Sequence, residues 1–504
     1  MIKLTPWDEH NRALVAQVHP PDWTNPRPAG RYNLVVVGAG TAGLVAAAGA
    51  AGLGARVALV ERRLMGGDCL NVGCVPSKAL VRAARAWTDV RRAGEFGLLV
   101  PAGLRGDFGA VMERMRRLRA ALSPTDSAAR FRALGVDVFL GEGRFTARDA
   151  LRVGDVVLRF SRALVATGAR AAVPAIPGLA EVGYLTNETV FDLTALPARL
   201  AVIGAGPLGC ELAQAFARFG ADVTLLDRGS QVLEREDVDA AACVSEALAR
   251  DGVRLALGSA VTRVERGPAG EVRLHVKGAG AVPTFTVDAV LIGTGRIPNV
   301  EGLGLETAGV AVEPRLGIRV DDRLRTTNRR IFAAGDVCSE HRFTHNSDAQ
   351  ARIAVRNALF LGRARASAVT LPWCTYTDPE VAHVGLSGRQ AQARGLDVRT
   401  FVQPLRDVDR AVLDGETDGF VKIHVRAGSD RIVGATIVAR HAGEMLPELT
   451  LAMTHGVGLG ALASVVHAYP TQADAIRRLG DAYNRTRLTP RIGSVFRAWL
   501  GWRR

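Results

Sequence analysis

A strand–glycine turn–helix–strand plan occurs twice in this chain, about 166 residues apart. The first copy, RYNLVVVGAGTAGLVAAAGAAGLGARVALVER, carries Gly38, Gly40 and Gly43 and ends its second strand on Glu61. The second, ARLAVIGAGPLGCELAQAFARFGADVTLLDRG, carries Gly204, Gly206 and Gly209 and ends on Asp227. Both acids stand 23 residues after the first glycine. The three glycines differ in what they make possible. The first permits a tight turn, the second lets backbone approach a pyrophosphate, and the third lets helix and strand pack closely. The helix N-terminus then offers free N–H groups to phosphate, and the acid accepts the ribose hydroxyls. A repeat this long is not a solenoid. It predicts two Rossmann-like dinucleotide-binding domains, one for FAD and one for NAD(P), with hydride passing between the two cofactors. Asp227 favours the unphosphorylated ribose of NADH, whereas the adjacent Arg228 suits the 2′-phosphate of NADPH; NADH is the preferred reading.

The boundaries follow from this pattern. Residues 1–31 are polar and proline-rich and read as an N-terminal extension. The FAD domain takes 32–190 and 292–365, and the NAD(P) domain 191–291. From about residue 370 alternating strands give way to helices, so 366–484 reads as a third, α+β domain, followed by a basic aromatic tail at 485–504. The fold class is α/β.

At 504 residues and 48% hydrophobic content the chain can bury a large core, which excludes disorder and small disulfide scaffolds. The formal charge of +14 suggests nucleic acid at first. However, only four of the 64 basic residues are lysine (Lys3, Lys78, Lys277 and Lys422), and the arginines are scattered. That reads as a general preference for arginine, so no nucleic-acid partner is expected. The 22 uncharged residues Leu34–Ala55 have the length of a membrane span, but glycines interrupt them in the fingerprint pattern. With six cysteines and no signal-like N-terminus, a reducing, cytoplasmic setting is expected, where a cysteine pair is catalytic more often than structural.

Such a pair lies in Gly66-Gly67-Asp68-Cys69-Leu-Asn-Val-Gly73-Cys74-Val-Pro76-Ser77-Lys78. On an ideal helix cysteines five apart diverge by about 140°. They meet only if the segment is distorted, which Gly73 permits. A thiol at a helix start is partly thiolate, and two such thiols can store two electrons as a disulfide. Lys78 lies one turn past Cys74, placing a cation on the same face. The alternatives are a zinc half-site or two core cysteines; the remaining cysteines are isolated.

With these motifs in order, residues 32–480 resemble the pyridine nucleotide–disulfide oxidoreductases, the family of dihydrolipoamide dehydrogenase, glutathione reductase and mercuric reductase. CLNVGCVPSK is the most specific match. Others are Ala166-Thr167-Gly168, Gly293-Thr294-Gly295-Arg296 with Pro298-Asn299, and Ile331-Phe-Ala-Ala-Gly335-Asp336. The resemblance implies FAD and a nicotinamide cofactor, with Cys74 as the flavin-proximal thiol and Cys69 as the interchange thiol. It also implies Lys78 near the flavin N5 and paired with Glu211, and Asp336 on the ribityl chain. Gly67, Thr167, Gly168 and Gly295 are further cofactor-binding positions. The third domain becomes a dimerisation domain, and a homodimer with shared active sites is expected.

The chain departs from the thiol-substrate members near its C-terminus. Where they carry His-Pro-Thr-x-x-Glu, this chain has Tyr469-Pro470-Thr471-Gln-Ala-Asp474, with His467 two residues earlier. A phenol is a poor proton shuttle at neutral pH, and Tyr469 also reads as an ordinary buried interface residue. Mercuric reductases resemble the chain at this position, so the preferred acceptor is Hg(II) or a similar thiophilic metal ion, with Cys69 and Cys74 as transient ligands. The chain shows neither the C-terminal cysteine pair nor the N-terminal metal-binding domain of typical members. Pro207 stands where many relatives place a gating tyrosine. A lipoamide- or glutathione-type reductase is the second reading, and a membrane- or DNA-associated redox sensor the third. From Asn484 to Arg504 six arginines without an acid interleave with Trp499, Trp502 and other apolar residues. This reads either as a helix on the dimerisation domain or as a weak, peripheral membrane contact.

Overall fold

The computed structural model describes residues 4–28, 30–101, 103, 105–278 and 284–504; Lys3 lies outside them. They form two compact units, Met1–Arg228 with Gly252–Val369, and Gly229–Asp251 with Thr370–Arg504.

The first unit is built on a seven-stranded sheet. Its strands are β1 (Arg31–Val37), β2 (Val57–Glu61), β3 (Val136–Leu140), β4 (Gly143–Ala147), β5 (Ala150–Val153) and β6 (Val156–Val165), with Ile331–Ala333 beside β6. The order is β3-β2-β1-β6-β5-β4, and β1 pairs in parallel with both β2 and β6. A central parallel strand is covered on both faces, which is why RYNLVVV is almost wholly apolar. Alternate side chains serve opposite cores: Leu34 and Val36 join one cluster, Val35 and Val37 another. The uncharged stretch Leu34–Ala55 is thus the end of β1, the glycine turn and helix α2 (Thr41–Gly52), where α1 is Glu9–Val18. Among the described residues no helix is long and apolar enough to cross a membrane.

The same plan recurs in a four-stranded sheet ordered Arg254–Ala256, Asp222–Leu226, Arg199–Ile203, Ala289–Ile292, with every pair parallel. Helix Pro207–Phe219 follows its glycine turn.

Residues before β1 are more than an extension. Asp8 caps α1, and Leu14 and Val18 enter the cluster that holds Leu34 and Val36. Beyond the helix, Trp23 Nε1 donates to Val138 O (3.2 Å), and the Asn25 side chain bonds both backbone groups of Leu140. The segment therefore packs along the β3 edge of the first sheet. Its helical spacing is present in the sequence, but the flanking prolines dominate the composition.

The second unit holds a five-stranded antiparallel sheet in the order Pro372–Thr375, Glu380–Gly385, Ile432–Ala439, Phe420–Arg426, Val398–Pro404. Helices Ala442–His455 and Asp474–Arg487 bury their apolar faces against it. Lys422 is buried here and paired with Asp237 (2.8 Å) and Asp239 (2.7 Å). Lys277, by contrast, is exposed. The final helix, Pro490–Trp502, buries none of its residues.

Candidate active site

The cysteine pair sits at a break between two helices, α3 (Gly67–Asn71) and α4 (Cys74–Arg91). Gly73 caps α4, and a Cβ there would lie 2.7 Å from Asp68 O, so the tight turn requires glycine. The break cancels the divergence that one continuous helix would impose. Cys69 and Cys74 come within hydrogen-bonding reach of each other, and Cys74 Sγ is 3.3 Å from Thr344 Oγ1. The hydrogen bond from Cys69 is the main cause that brings the Cys74 thiol down to about 6; Thr344 and the Lys78 charge assist, against burial. The same bond, together with burial, pushes Cys69 up. The two thiols titrate as a pair, with the charge favoured on Cys74 and the proton on Cys69.

Lys78 Nζ donates to Glu211 Oε2 at 2.7 Å, and Glu211 is only 3% exposed. Glu211 belongs to the helix that follows the second glycine fingerprint, so this ion pair ties α4 to the second dinucleotide lobe. The stretch between the cysteines is also held from outside: Asn187 Nδ2 donates to Val72 O (3.2 Å). Arg296 pairs with Asp68, donates to Ala169 O (2.8 Å), and lies 3.5 Å from Asp336. Burial raises the Asp336 carboxyl, against the pull of Arg296 and Arg342.

The two fingerprints show one local geometry. Gly38 and Gly204 have φ of +102° and +110°. A Cβ on Gly43 would strike Gly38 O at 1.8 Å, and one on Gly209 would strike Gly204 O at 1.9 Å. Glu61 Oε2 accepts from Ala39 N (2.7 Å), and Asp227 Oδ2 from Ala205 N (2.6 Å). Glu61 thus lines the cavity of the first lobe, and Asp227 takes the matching place beside the second fingerprint. Burial raises Glu61 despite its bonds to backbone N–H groups. Arg228 is exposed beside Asp227.

In the first lobe a cavity of ≈ 450 Å³ runs from Gly38 and Glu61 to Thr167, Arg170 and Asn299. Thr167 Oγ1 donates to Asn299 O (2.7 Å), and the Asn299 amide returns a bond to Thr167 O (3.0 Å), locking two of its walls together. Gly168 (φ +68°) and Gly295 (φ +125°) turn the chain at these walls. A Cβ on Gly67 would lie 2.6 Å from Gly40 Cα, so the two bare backbones leave no room for a side chain beside the uncapped start of α2. A cradle of backbone N–H groups with a ribose acceptor at one end fits a dinucleotide diphosphate. It is the cradle FAD would take in the first lobe and the nicotinamide cofactor in the second.

Tyr469 and Asp474 lie in the second unit and are not bonded to each other. Tyr469 is 74% exposed, and its hydroxyl donates to Asp409 (3.0 Å), which raises its pKa. Burial would raise Asp474, but hydrogen bonds from Arg477 (2.8 Å) and Arg478 (2.7 Å) outweigh it and hold the carboxyl low. His467 is committed at both ring nitrogens, to Val465 O (3.1 Å) and to Glu448 (3.1 Å).

Thr344 and Asn187 touch the cysteine segment, and no sequence motif points to either. Thr344 is 270 residues from Cys74, and its only local signal is its place at the start of helix Thr344–Leu359.

The family profile "Pyridine nucleotide-disulphide oxidoreductase" matches residues 32–357, and that of the family's dimerisation domain matches 371–479. Among curated proteins, a mercuric reductase of Staphylococcus aureus is 35% identical over 449 residues, covering 89% of this chain and 82% of its own. A dihydrolipoyl dehydrogenase of Chlamydia muridarum is 34% identical over 453 residues, covering 88% and 95%. Among solved structures, the Cu(II) complex of the HOCl-induced flavoprotein disulfide reductase RclA from Escherichia coli superposes with a TM-score of 0.80 at 29% identity, covering 90% of this chain and 100% of its own. The chain is a member of the pyridine nucleotide–disulphide oxidoreductases, a flavoprotein disulfide oxidoreductase that uses FAD and NAD(P)H.

Proposed function

We propose that this enzyme delivers electrons from NAD(P)H, through FAD and the Cys69–Cys74 pair, to a soft metal ion, Hg(II) or a similar species such as Cu(II). FAD, when bound, supplies the relay between a two-electron hydride donor and the thiols. The thiolate–thiol pair gives up two electrons and the one proton on Cys69 and becomes the disulfide. One Hg(II) takes both electrons, or two Cu(II) take one each. Cys74 is held as a thiolate and Cys69 keeps the proton until the acceptor arrives. Lys78, clamped by Glu211, keeps a positive charge one turn from that thiolate. The match to the family's dimerisation domain supports a homodimer, and in this reading Tyr469 of one subunit completes the site of the other.

The observation that carries the metal reading is the state of Tyr469. Its hydroxyl is tied to a carboxylate that raises its pKa, so it retains its proton at neutral pH. It offers an oxygen, not a proton shuttle, and His467 has no ring nitrogen to spare. A disulfide substrate needs an acid for its leaving thiol; a metal ion needs thiolates. The similarity to mercuric reductases points the same way. The test is anaerobic reduction by NADH, then stopped-flow reoxidation with Hg(II), Cu(II), lipoamide and oxidised glutathione. Fast reoxidation by the metals is expected; fast reoxidation by a disulfide alone would favour the second reading.

A peripheral membrane contact is proposed for helix Pro490–Trp502. Val495, Phe496, Trp499, Leu500 and Trp502 are exposed, and arginines border them. Thirteen residues span about 20 Å, too short to cross but suited to lie in an anionic interface. A second copy of this +14 chain is a poorer electrostatic match. Full-length protein should co-sediment with phosphatidylglycerol vesicles and a 1–484 truncation should not; equal binding removes the idea.

A further inference from the structure

The N-terminal helix reaches the redox centre through one buried arginine. Arg119, on α5 (Phe108–Leu122), is 2% exposed. Its Nη1 donates to Asn71 O at 2.6 Å, and its Nη2 donates to Asn11 Oδ1 at 2.7 Å. Asn11 lies on α1 and is fully buried. Its own amide donates to Pro6 O (2.7 Å), which fixes the direction of its oxygen. Asn71 in turn donates to Met65 O (3.0 Å) and Gly67 O (2.8 Å). Asn71 is the last residue of α3, two positions past Cys69, and its carbonyl is one of the orphan acceptors that every helix leaves at its C-terminal end.

Two consecutive carbonyls between the cysteines are therefore held from outside: Asn71 O by Arg119 and Val72 O by Asn187. A guanidinium is expensive to bury unless its donors are used. Burial brings Arg119 down to about 10, with the charge of Asp192 opposing that fall. Asn11 is the partner that makes one of the two buried donor contacts possible, and it comes from residues that precede the family profile's match at 32.

We infer that Asn11 and Arg119 form a clasp by which the N-terminal helix positions Cys69 against Cys74 and so sets the dithiol–disulfide balance of the pair. The inference rests on the reading of Cys69–Cys74 as the redox couple. A disulfide tolerates a narrow range of backbone separations, and its stability relative to the dithiol reflects how closely the fold holds the two sulfurs. Without the Asn11 oxygen, a buried N–H of Arg119 is unsatisfied, the guanidinium turns and Asn71 O is released. The cysteine segment then loosens. The disulfide loses ground to the dithiol, and the Cys69–Cys74 hydrogen bond that favours the Cys74 thiolate weakens.

The test equilibrates purified holoenzyme with dithiothreitol buffers of graded oxidised-to-reduced ratio, counts thiols, and records the pH midpoint of Cys74 alkylation by iodoacetamide. Dithiothreitol gives two electrons and one proton to the disulfide, releases its second proton to solvent, and is itself oxidised to its cyclic disulfide. Asn11→Ala and Arg119→Lys should each shift the equilibrium toward dithiol by about threefold to tenfold, the effect of one buried hydrogen bond. Both should also raise the alkylation midpoint. Asn11→Asp keeps an oxygen for Arg119 and should restore both readings. Asn11→Ala with wild-type equilibrium and midpoint, whatever its melting temperature, would overturn the clasp and leave α1 a purely stabilising element. If the wild-type pair itself does not cycle with dithiothreitol, the redox assignment of the cysteines fails instead.

Discussion

The two dinucleotide lobes share a fingerprint but differ in what lies over it. In both, the third glycine packs on the first, and the strand-end acid accepts from the N–H that follows the first glycine. In the first lobe, however, a Cβ on Gly40 would meet Gly67 Cα at 3.6 Å, because the loop carrying the cysteines folds over the helix start. In the second, a Cβ on Gly206 would meet nothing within 4 Å, and Pro207 at the first helical turn removes one N–H donor. The start of the first helix is covered at its glycine by the cysteine loop, and the start of the second is uncovered at Gly206. A resident FAD and an exchanging nicotinamide need that contrast, and the fingerprint does not encode it. What the fold brings across the turn decides how tightly the site holds.

The largest effect separates the two half-reactions. Cys74→Ser should abolish acceptor turnover, by about a thousandfold or more, while anaerobic flavin reduction by NADH stays within about twofold. Loss of both would mean that the lobes do not work independently. Next comes the covered fingerprint itself. Gly67→Ala puts a Cβ 2.6 Å from Gly40 Cα at a φ of +56°, so the variant should purify with most of its flavin missing, read from the visible absorbance. Full flavin content would break the comparison.

Asp227→Asn should lower kcat/KM for NADH by about tenfold, the worth of one charged hydrogen bond, and narrow the gap to NADPH. A wild-type enzyme that strongly prefers NADPH would reverse the reading of Asp227. The pH dependence is of similar size. Cys74 is depressed to about 6, so its thiolate is present above that pH and is lost as pH falls through it. Alkylation of Cys74 should therefore slow by about tenfold between pH 7 and pH 5. A midpoint near the ordinary thiol value would show that Cys69 and Lys78 do not act on it. The smallest change is expected for Gly206→Ala, which points a methyl group into open space: KM for the nicotinamide should rise by less than about threefold. A large rise would show that the second fingerprint is covered as closely as the first.

Much of the site is legible in the sequence because its parts are local. Gly38, Gly43 and Glu61 fall within one strand–turn–helix–strand unit, and Cys69, Gly73, Cys74 and Lys78 within ten residues, so spacing alone carries the geometry. The N-terminal segment is less legible. Its prolines suggest an extension, and the helical run Asn11, Leu14, Val15, Val18 acquires meaning only from the core it enters. Tyr469 is legible as a substitution but not in its state, because Asp409 approaches it across 60 positions.

By itself the sequence determined the two dinucleotide lobes, the order of the domains and the cysteine pair one turn before a lysine. Backbone periodicity and glycine sterics act over a few residues and leave their mark in spacing. Only the tertiary structure decided which thiol the charge favours, which glycine fingerprint a neighbouring loop covers, and that Thr344, Asn187 and Arg119 surround the cysteine segment. Those outcomes depend on burial and on hydrogen bonds between residues far apart in sequence, whose strength is set by their final positions and by the exclusion of water around them.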